Sequence, residues 1–390
     1  MCRSVPKPYE EAAPAVALEA DLDALSSGVR GRLPFPLDPV PRVIGAEDWQ
    51  HLKVGLAQRA KALNAFVADA YGARGIVKAG VIPARVIRTA AHYEASMRGV
   101  QPPGGLWVGV AAVDLLRAPD GEFRALDDDV TTCGGLAHAA AAREALLPAL
   151  GPPPDEAPRS HSELPSLLGE ALRAAAPGGR NPRVAVLGGG GWEDDRVAAL
   201  LGVPLVAAGD ADVVYRPGVP DAEVARLLGP AVRAGAVGVV NALGCGVGDD
   251  RLTHAYVEDM VRFYVGEEPA LRSVPTLDLG RPDHLERALD TFADLVVKPR
   301  VGRAAAPALA TLRASPHDWV AQPFVERSRH PTVVDGALAP REVDLRAFVF
   351  MHGADHPRVL PGGLTRCPDG TVKDTWVQRT SAESARASSA

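Results

Sequence analysis

The sequence predicts an α/β protein with a parallel sheet in its middle and mixed strands on either side. Residues 181–217 run from a buried strand through a glycine turn into a helix and two more apolar runs, the alternation typical of a parallel sheet. Residues 106–130 read as strand, turn and strand, and further strand-like runs follow residue 295. These three observations indicate several α/β units.

The composition of the chain indicates a globular protein and argues against nucleic-acid and membrane partners. The chain has 390 residues, 47% hydrophobic and 23% charged, which is ordinary for a globular protein of two or three domains. An aromatic content of 5% and a net charge of −6 argue against a nucleic-acid partner. The 4 cysteines form no CxxC pair, so neither a zinc site nor a disulfide is predicted. Because no signal peptide or apolar span is found, we expect a cytoplasmic protein without a membrane partner.

Changes in composition divide the chain into five parts. The first is rich in proline and acidic residues and is expected to wrap a surface, and a proline-rich linker at 151–165 precedes the middle domain. In chain order the parts are an N-terminal extension (1–40), a part with a helix and a hairpin (41–150), the parallel middle domain (151–240), a part with a glycine loop and several strands (241–378), and a disordered tail (379–390).

The second part begins with an amphipathic helix. From Asp48 through Tyr71, apolar residues such as Trp49, Leu52 and Leu56 recur at intervals of three and four. That spacing places them on one face of a helix, where they can pack against a sheet.

The strand–turn–strand segment that follows carries an acidic cluster. A four-residue turn at 118–121 would pair Arg117 with Glu122. In that register Asp114 lies opposite Ala125.

Side-chain alternation then places Asp114, Asp127 and Asp129 on one face of the hairpin. Asp114 and Asp127 become diagonal neighbours, about 7–8 Å apart. Three carboxylates on one face repel each other unless a cation lies among them, and oxygen ligands suit Mg²⁺. A solvated hairpin edge is the alternative interpretation.

Two glycine-rich turns are candidate phosphate loops. Residues 244–248 contain three glycines and precede a predicted long helix that Asp249 or Asp250 can cap. A plain turn with a helix cap explains this loop equally well, because the P-loop spacing is missing. The four glycines at 188–191 indicate a close backbone approach, but they lack the third glycine of a dinucleotide fingerprint.

Three later segments carry candidate ligand-binding groups. VVKPR (296–300) places Lys298 at the end of an apolar strand, where an ammonium can reach a phosphate. In WVAQPFVE (319–326), an apolar strand meets Gln322 and Pro323, and its backbone groups could contact an adenine edge; an ordinary edge strand is the alternative.

In the third segment, residues 345–378, basic residues recur on or beside strands. Arg346, Arg366 and Lys373 could converge on phosphates or on a substrate carboxylate. A solvated sheet face is the alternative.

Taken together, ordered blocks between residues 36 and 378 resemble the circularly permuted ATP-grasp family, carboxylate–amine ligases related to glutathionylspermidine synthase. The blocks are QRAKALNAFVADAYG, VIPARVI, NALGCGVGDDRLTHAYVEDMVRFYVGEEP, SVPTLDL, VVKPR, VDLRAFV, LPGGLTR and KDTWV. An ordinary ATP-grasp chain has its metal carboxylates after the nucleotide lysine, whereas here the acidic hairpin precedes both the middle domain and Lys298. A circular permutation accounts for that order.

The resemblance implies an α/β fold of circularly permuted ATP-grasp lobes with a small Rossmann-like middle domain. Residues 41–150 would be the permuted piece with a metal-binding hairpin, 151–240 the Rossmann-like domain before the lobes, and 241–378 the nucleotide-binding lobes. The implied cofactors are ATP and Mg²⁺. The implied site residues are Asp114, Asp127 and Asp129 for the metal, Arg251, Lys298, Gln322, Pro323, Phe324 and Val325 for the nucleotide, and Arg346 and Arg366 for catalysis.

The chain departs from the family pattern at several places, among them a shorter loop between Arg366 and Lys373 and a shorter middle domain. Asp127-Asp128-Asp129 stands where the family reads Glu-Asp-Asn, and Arg251 stands where the family has lysine. After Lys298, a glycine-rich flap is replaced by a run that keeps Gly302 but has alanine at 304–306. These departures indicate a divergent member.

The resemblance implies an ATP-dependent ligase that joins a small-molecule or peptide carboxylate to an amine through an acyl phosphate. The main alternative is a degenerate ATP-grasp protein that binds a nucleotide or acts as a scaffold without catalysis. A nicotinamide-dependent oxidoreductase is a weaker alternative, since only the glycines at 188–191 suggest it.

Overall fold

The computed structural model describes residues 7–14, 17, 31, 33–150, 163–178, 181–206, 210–302 and 304–379. Most of the predicted linker (151–165) and all but the first residue of the predicted tail (379–390) lie outside the described residues. Much of the predicted N-terminal extension (1–40) also lies outside them.

The strands of the described residues are numbered in chain order. They are β1 (Leu37–Ile44), β2 (Val110–Arg117), β3 (Phe123–Asp129), β4 (Val184–Leu187), β5 (Leu205–Val206), β6 (Val213–Tyr215), β7 (Gly238–Val240), β8 (Leu277–Asp278), β9 (Leu295–Pro299), β10 (Trp319–Pro323), β11 (Arg329–Val334), β12 (Ala337–Glu342), β13 (Asp344–Met351), β14 (Pro357–Val359), β15 (Leu364–Arg366) and β16 (Val372–Val377).

The helices are numbered in the same way. They are α1 (Ala46–Tyr71), α2 (Gly75–Lys78), α3 (Arg85–Arg88), α4 (Leu136–Leu150), α5 (Leu164–Ala174), α6 (Trp192–Leu201), α7 (Asp221–Arg233), α8 (Arg251–His254), α9 (Val257–Met260), α10 (Pro282–Asp290) and α11 (Leu309–Ala314). Short 3₁₀ turns occupy Ala95–Met97, Pro103–Gly105, Cys245–Val247, Phe292–Asp294 and Pro316–Asp318, and a π-helix occupies Val261–Val265.

A seven-stranded sheet forms the centre of the molecule. Its order is β1-β16-β15-β13-β2-β3, and β14 also pairs with β13. The first described strand, β1, runs parallel to the last, β16, and the two lie side by side at one edge. The first and the last described strands are therefore neighbours in one sheet.

Three smaller sheets complete the architecture. The middle part of the chain forms a four-stranded parallel sheet in the order β5-β4-β6-β7, which confirms the predicted alternation. A three-stranded sheet in the order β8-β10-β9 and a hairpin of β11 and β12 follow.

Two of the four hydrophobic clusters in the described residues are formed mainly by these sheets and the helices packed on them. The larger core is continuous from the central sheet through α1 to the middle sheet, and it includes Phe66, Phe348 and Val186. The three-stranded sheet has a small core of its own, centred on Leu279 and Leu312. This second core is separate from the first, so a cleft can form between the two sheets.

The predicted helix from Asp48 through Tyr71 is α1, with Trp49, Leu52 and Leu56 buried as expected. The long helix expected after the glycine loop is wrong, because α8, α9 and the π-helix replace it. Tyr256 leaves helical geometry, with φ −120° and ψ 5°, and places its hydroxyl 2.5 Å from Asp278. That contact interrupts the helix.

Part of the N-terminal extension is attached to the surface of the β11–β12 hairpin. The backbone of Glu11 and that of Arg329 are joined by a 2.8 Å hydrogen bond. The Glu11 carboxylate accepts hydrogen bonds of 2.6 and 2.7 Å from Arg42, whose side chain is fully buried. Residues 7–14 therefore supply the counter-charge of a buried arginine.

We expect Glu11→Ala to lower the free energy of unfolding by about 3–5 kcal/mol, because it leaves the Arg42 charge buried without its partner. Chemical denaturation measures this change. The exposed neighbour Glu10 offers a matched control, and Glu10→Ala should change stability by less than about 0.5 kcal/mol. Equal losses in the two variants would show that the Arg42 pair contributes nothing specific.

Candidate functional site

A cleft lies where the three-stranded sheet faces the β2–β3 hairpin. Its volume is about 120 Å³, and its walls are mainly apolar. The lining residues are Leu116, Leu126, Val274, Val296, Lys298, Gln322, Pro323, Phe324, Val325, Arg327 and Glu342. The predicted nucleotide residues at 298 and 322–325 thus come together in one cavity.

The segment after β10 forms one wall of this cleft. Phe324 leaves 61% of its surface exposed, although its backbone N–H donates to the Asp294 carbonyl at 3.1 Å. Pro323 and Val325 lie beside it in the lining. An exposed aromatic ring above an apolar cavity provides a surface on which a flat ring can stack.

Lys298 enters the cleft from β9 and is held by Gln322. The lysine ammonium donates to the Gln322 amide oxygen at 2.7 Å, and the Gln322 amide nitrogen donates to Thr276 at 2.9 Å. Burial lowers the pKa of Lys298, and the nearby Asp127 carboxylate opposes that shift. The Gln322 side chain therefore positions the lysine, a role that the sequence did not predict.

The predicted register of the acidic hairpin is wrong by one residue at the turn. Arg117 pairs with Phe123, and a bulge then places Asp114 directly opposite Asp127. Five residues therefore form the turn, because the Ala118 N–H donates to the Glu122 carbonyl at 2.9 Å. The bulge adds one residue to β3, which restores the shared face.

The three predicted metal residues do lie on one face of the sheet, but arginines neutralise them. Arg346 on β13 lies opposite Asp114 and donates to it at 3.0 and 3.1 Å. Arg366 approaches the same carboxylate at 2.9 Å. Arg346 also pairs with Asp129. The predicted catalytic arginines and two of the predicted metal ligands thus form one cluster.

Asp129 also stabilises the backbone turn that follows β3. Its Oδ1 accepts hydrogen bonds of 3.1 to 3.2 Å from the backbone N–H groups of Thr131, Thr132 and Cys133. This carboxylate therefore shapes the turn that leads into α4, a role that no sequence motif indicated.

Asp127 is paired with Arg251, the other predicted phosphate cation. The two side chains are 3.2 Å apart, and Arg251 also donates to the backbone carbonyls of Pro299 and Gly302 at 2.8 and 2.9 Å. Its guanidinium thus ties the turn after Lys298 to the acidic strand. Burial raises the pKa of Asp127 even though positive groups lie nearby.

Within the described ranges, no three His, Cys, Asp or Glu side chains form a group that could hold a metal ion. The positive charge beside the aspartates comes instead from Arg251, Arg346 and Arg366.

Neither glycine-rich turn is arranged as a phosphate loop. A Cβ at Gly244 would lie 2.2 Å from the Tyr71 hydroxyl, and one at Gly246 would lie 2.7 Å from His92. These glycines permit close packing, as the plain-turn interpretation expected. At 188–191, the N–H groups of Gly189 and Gly191 already donate to Asp194.

Lys373 does not join the cluster of arginines. Its side chain is fully buried, pairs with Asp38, and donates to the Val40 carbonyl at 3.0 Å. Register explains this, because Lys373 lies opposite Thr365 and so points to the other face of the sheet from Arg366.

Comparison with known proteins agrees with this arrangement. A family model described as circularly permuted ATP-grasp type 2 matches residues 41–217 and 221–368. The chain belongs to this family. It follows that the fold is a circularly permuted ATP-grasp.

Relatives in the family span different lengths. A Frankia casuarinae protein named "Putative glutamate–cysteine ligase 2-2" is 38% identical over 91% of this chain and 48% of its own length. An uncharacterized Mycobacterium tuberculosis H37Rv protein is 35% identical over 95% of this chain and 80% of its own. The chain thus spans about half the length of the named Frankia relatives.

A solved structure has the same fold. The apo form of a glutathione synthetase-like effector from Globodera pallida superimposes with a TM-score of 0.60, covering 94% of this chain and 100% of that one. The sequence identity is 9%, so this likeness concerns the fold alone. In the part of the chain that the structure describes, no helix is long and apolar enough to cross a membrane.

We expect Asp129→Asn to lower the free energy of unfolding by about 2 kcal/mol, because the amide nitrogen would face the Arg346 guanidinium in place of a carboxylate oxygen. Asp127→Asn should cost less, since it removes a charge that burial already disfavours. Thermal and chemical unfolding of both variants measure the difference. Asp120→Asn, in the exposed hairpin turn, is the control and should be near neutral. A larger loss at Asp127 than at Asp129 would contradict the arrangement described.

Proposed function

We propose that this protein is an ATP-dependent carboxylate–amine ligase. The observation that carries the proposal is the series of interactions that leads from the apolar pocket to the arginines. Lys298 lines the pocket and interacts electrostatically with Asp127 and Asp114. Asp114 lies opposite Asp127 and pairs with both Arg346 and Arg366. Family membership supports the use of ATP, and the names of two relatives support amide formation.

In this proposal the adenine would stack on Phe324 and meet backbone groups at Pro323 and Val325. Lys298 would bind phosphate oxygens, with its position set by Gln322. Arg251 holds the turn after Lys298 by its backbone carbonyls and so shapes the wall beside the phosphates.

Arg346 and Arg366 would receive the substrate carboxylate and the transferred phosphoryl group. One carboxylate oxygen attacks the γ-phosphorus of ATP, and the bond between that phosphorus and the oxygen that bridges it to the β-phosphate breaks. ADP departs, and the substrate is now an acyl phosphate. The amine then attacks the acyl carbon, loses a proton and expels inorganic phosphate. Guanidinium groups suit both anions because their planar N–H donors match carboxylate and phosphate oxygens.

We also propose that Mg²⁺ binds together with the triphosphate. The residues fit such an ion in chemistry, because Asp114 and Asp127 are directly opposed oxygen donors. When bound, the ion would offset phosphate charge. Asp114 and Asp127 would hold it, whereas the Oδ1 atom of Asp129 already accepts three backbone N–H groups.

The substrates follow from the relatives only by analogy. Two Frankia relatives are named as glutamate–cysteine ligases, so an amino-acid or peptide carboxylate and an amino-acid amine are the substrates we propose. A cytoplasmic location is part of the proposal, because the reaction consumes ATP.

The test is an assay with ATP, Mg²⁺, L-cysteine and L-glutamate labelled with ¹⁸O in its carboxyl groups. An acyl-phosphate route transfers one ¹⁸O atom into inorganic phosphate for each amide formed, and mass spectrometry detects both products. Other acids and amines extend the assay if this pair is inactive. Amide formation with unlabelled phosphate would overturn the acyl-phosphate step.

A second candidate function is nucleotide binding without ligation. The observation that favours it is the pairing of all three aspartates with arginines. ATP binding by calorimetry, without ADP formation across a panel of acids and amines, would support this alternative.

We expect Lys298→Ala to weaken Mg-ATP binding by about tenfold to a hundredfold, because a charged hydrogen bond to phosphate is lost. Stability should change little, since the lysine contacts the protein chiefly through Gln322. Isothermal titration calorimetry measures the affinity, and Lys53→Ala, an exposed lysine on α1, is the control. Unchanged affinity at Lys298→Ala would remove this lysine from the nucleotide site.

A further inference from the structure

We propose that His254 is a positioning residue: together with Arg59 it clamps Asp128 so that the neighbouring Asp127 and Asp129 stay on the opposite face of the sheet, beside Arg251 and Arg346. The part of this inference that is tested by Mg-ATP affinity rests on the proposed function. The part that is tested by hydrogen exchange does not. No sequence motif indicated the role, and none of the three side chains in the clamp lines the cleft.

The clamp is buried on the face of the central sheet opposite the cleft. Asp128 alternates with its two neighbours along β3 and therefore points toward α1. Arg59 on α1 donates to its two carboxylate oxygens at 3.0 and 2.6 Å. The His254 Nδ1 lies 2.6 Å from the same carboxylate. Each of the three side chains exposes no more than 2% of its surface.

In the clamp, one carboxylate meets one guanidinium and one imidazole nitrogen. Because an ionised carboxylate only accepts hydrogen bonds, the 2.6 Å contact makes the His254 Nδ1 a donor to Asp128.

The same helical turn binds two successive residues of β3. Arg251 begins α8 and contacts Asp127, whereas His254 ends it and contacts Asp128. Because the two aspartates point to opposite faces, this double contact resists both a slip and a rotation of the strand. β3 needs such a restraint, because the bulge beside Asp127 has already interrupted its ladder with β2.

The test compares two substitutions of His254. His254→Leu keeps an apolar side chain of moderate size but removes the Nδ1 donor, and His254→Asn keeps a donor at the same distance from Cβ. We expect His254→Leu to weaken Mg-ATP binding about tenfold, as loss of an outer partner of a ligand commonly does. His254→Asn should stay within about threefold of wild type.

A matched control and a second measurement distinguish a positioning role of His254 from a general contribution to stability. Glu11→Gln weakens another buried arginine pair and should leave the affinity for Mg-ATP unchanged. Amide hydrogen exchange of residues 127–129 should be faster in His254→Leu than in wild type, and it should be unchanged in Glu11→Gln.

The exchange measurement does not depend on nucleotide binding. If wild type fails to bind Mg-ATP, the proposed function fails, while faster exchange at 127–129 in His254→Leu still supports the clamp. Exchange and affinity equal to those of wild type in His254→Leu would overturn it. So would equal losses of affinity in His254→Leu and His254→Asn.

Discussion

Neutralisation of the consecutive acids at the end of β3 is the constraint on which the rest of the site depends. Alternation sends Asp127 and Asp129 to one face of the sheet and Asp128 to the other, so no single cation can serve all three. Arg251 approaches from the short helix α8, Arg346 from strand β13 two places away in the same sheet, and Arg59 from the long helix α1. Since an unpaired buried charge costs several kcal/mol, the places of these three elements are coupled through one strand.

The same pairing determines what the cleft can do. Arg346 and Arg366 have their carboxylate partners within the sheet, so their orientation is set before any ligand arrives. Lys298 is oriented in the same way by Gln322. Cations held in advance lose little conformational freedom on binding an anion, which favours recognition of phosphate and carboxylate groups.

The order of the strands within the sheet places the residues of this site, whereas the order of the strands along the chain has less influence on it. β1 and β16 come from opposite ends of the described chain yet lie side by side, and β13 lies between β2 and β15. The cleft therefore draws its walls from the hairpin at 110–129 and from segments beyond residue 270. A permuted chain can keep an ATP-grasp site because hydrogen bonds between strands, and not the connections between them, place the functional groups.

The sequence by itself determined the acidic hairpin, the parallel strands of the middle part, the shared face of Asp127 and Asp129, and the place of Lys298 at a strand end. Those features depend on periodicity and turn residues, which act over a few positions. Only the tertiary structure decided the bulge that sets Asp114 against Asp127, the burial of Lys373 with Asp38, and the clamp on Asp128. Each of these depends on a partner far away in the chain, and charge pairing between distant segments leaves no local pattern. Only packing determines which arginine meets which carboxylate.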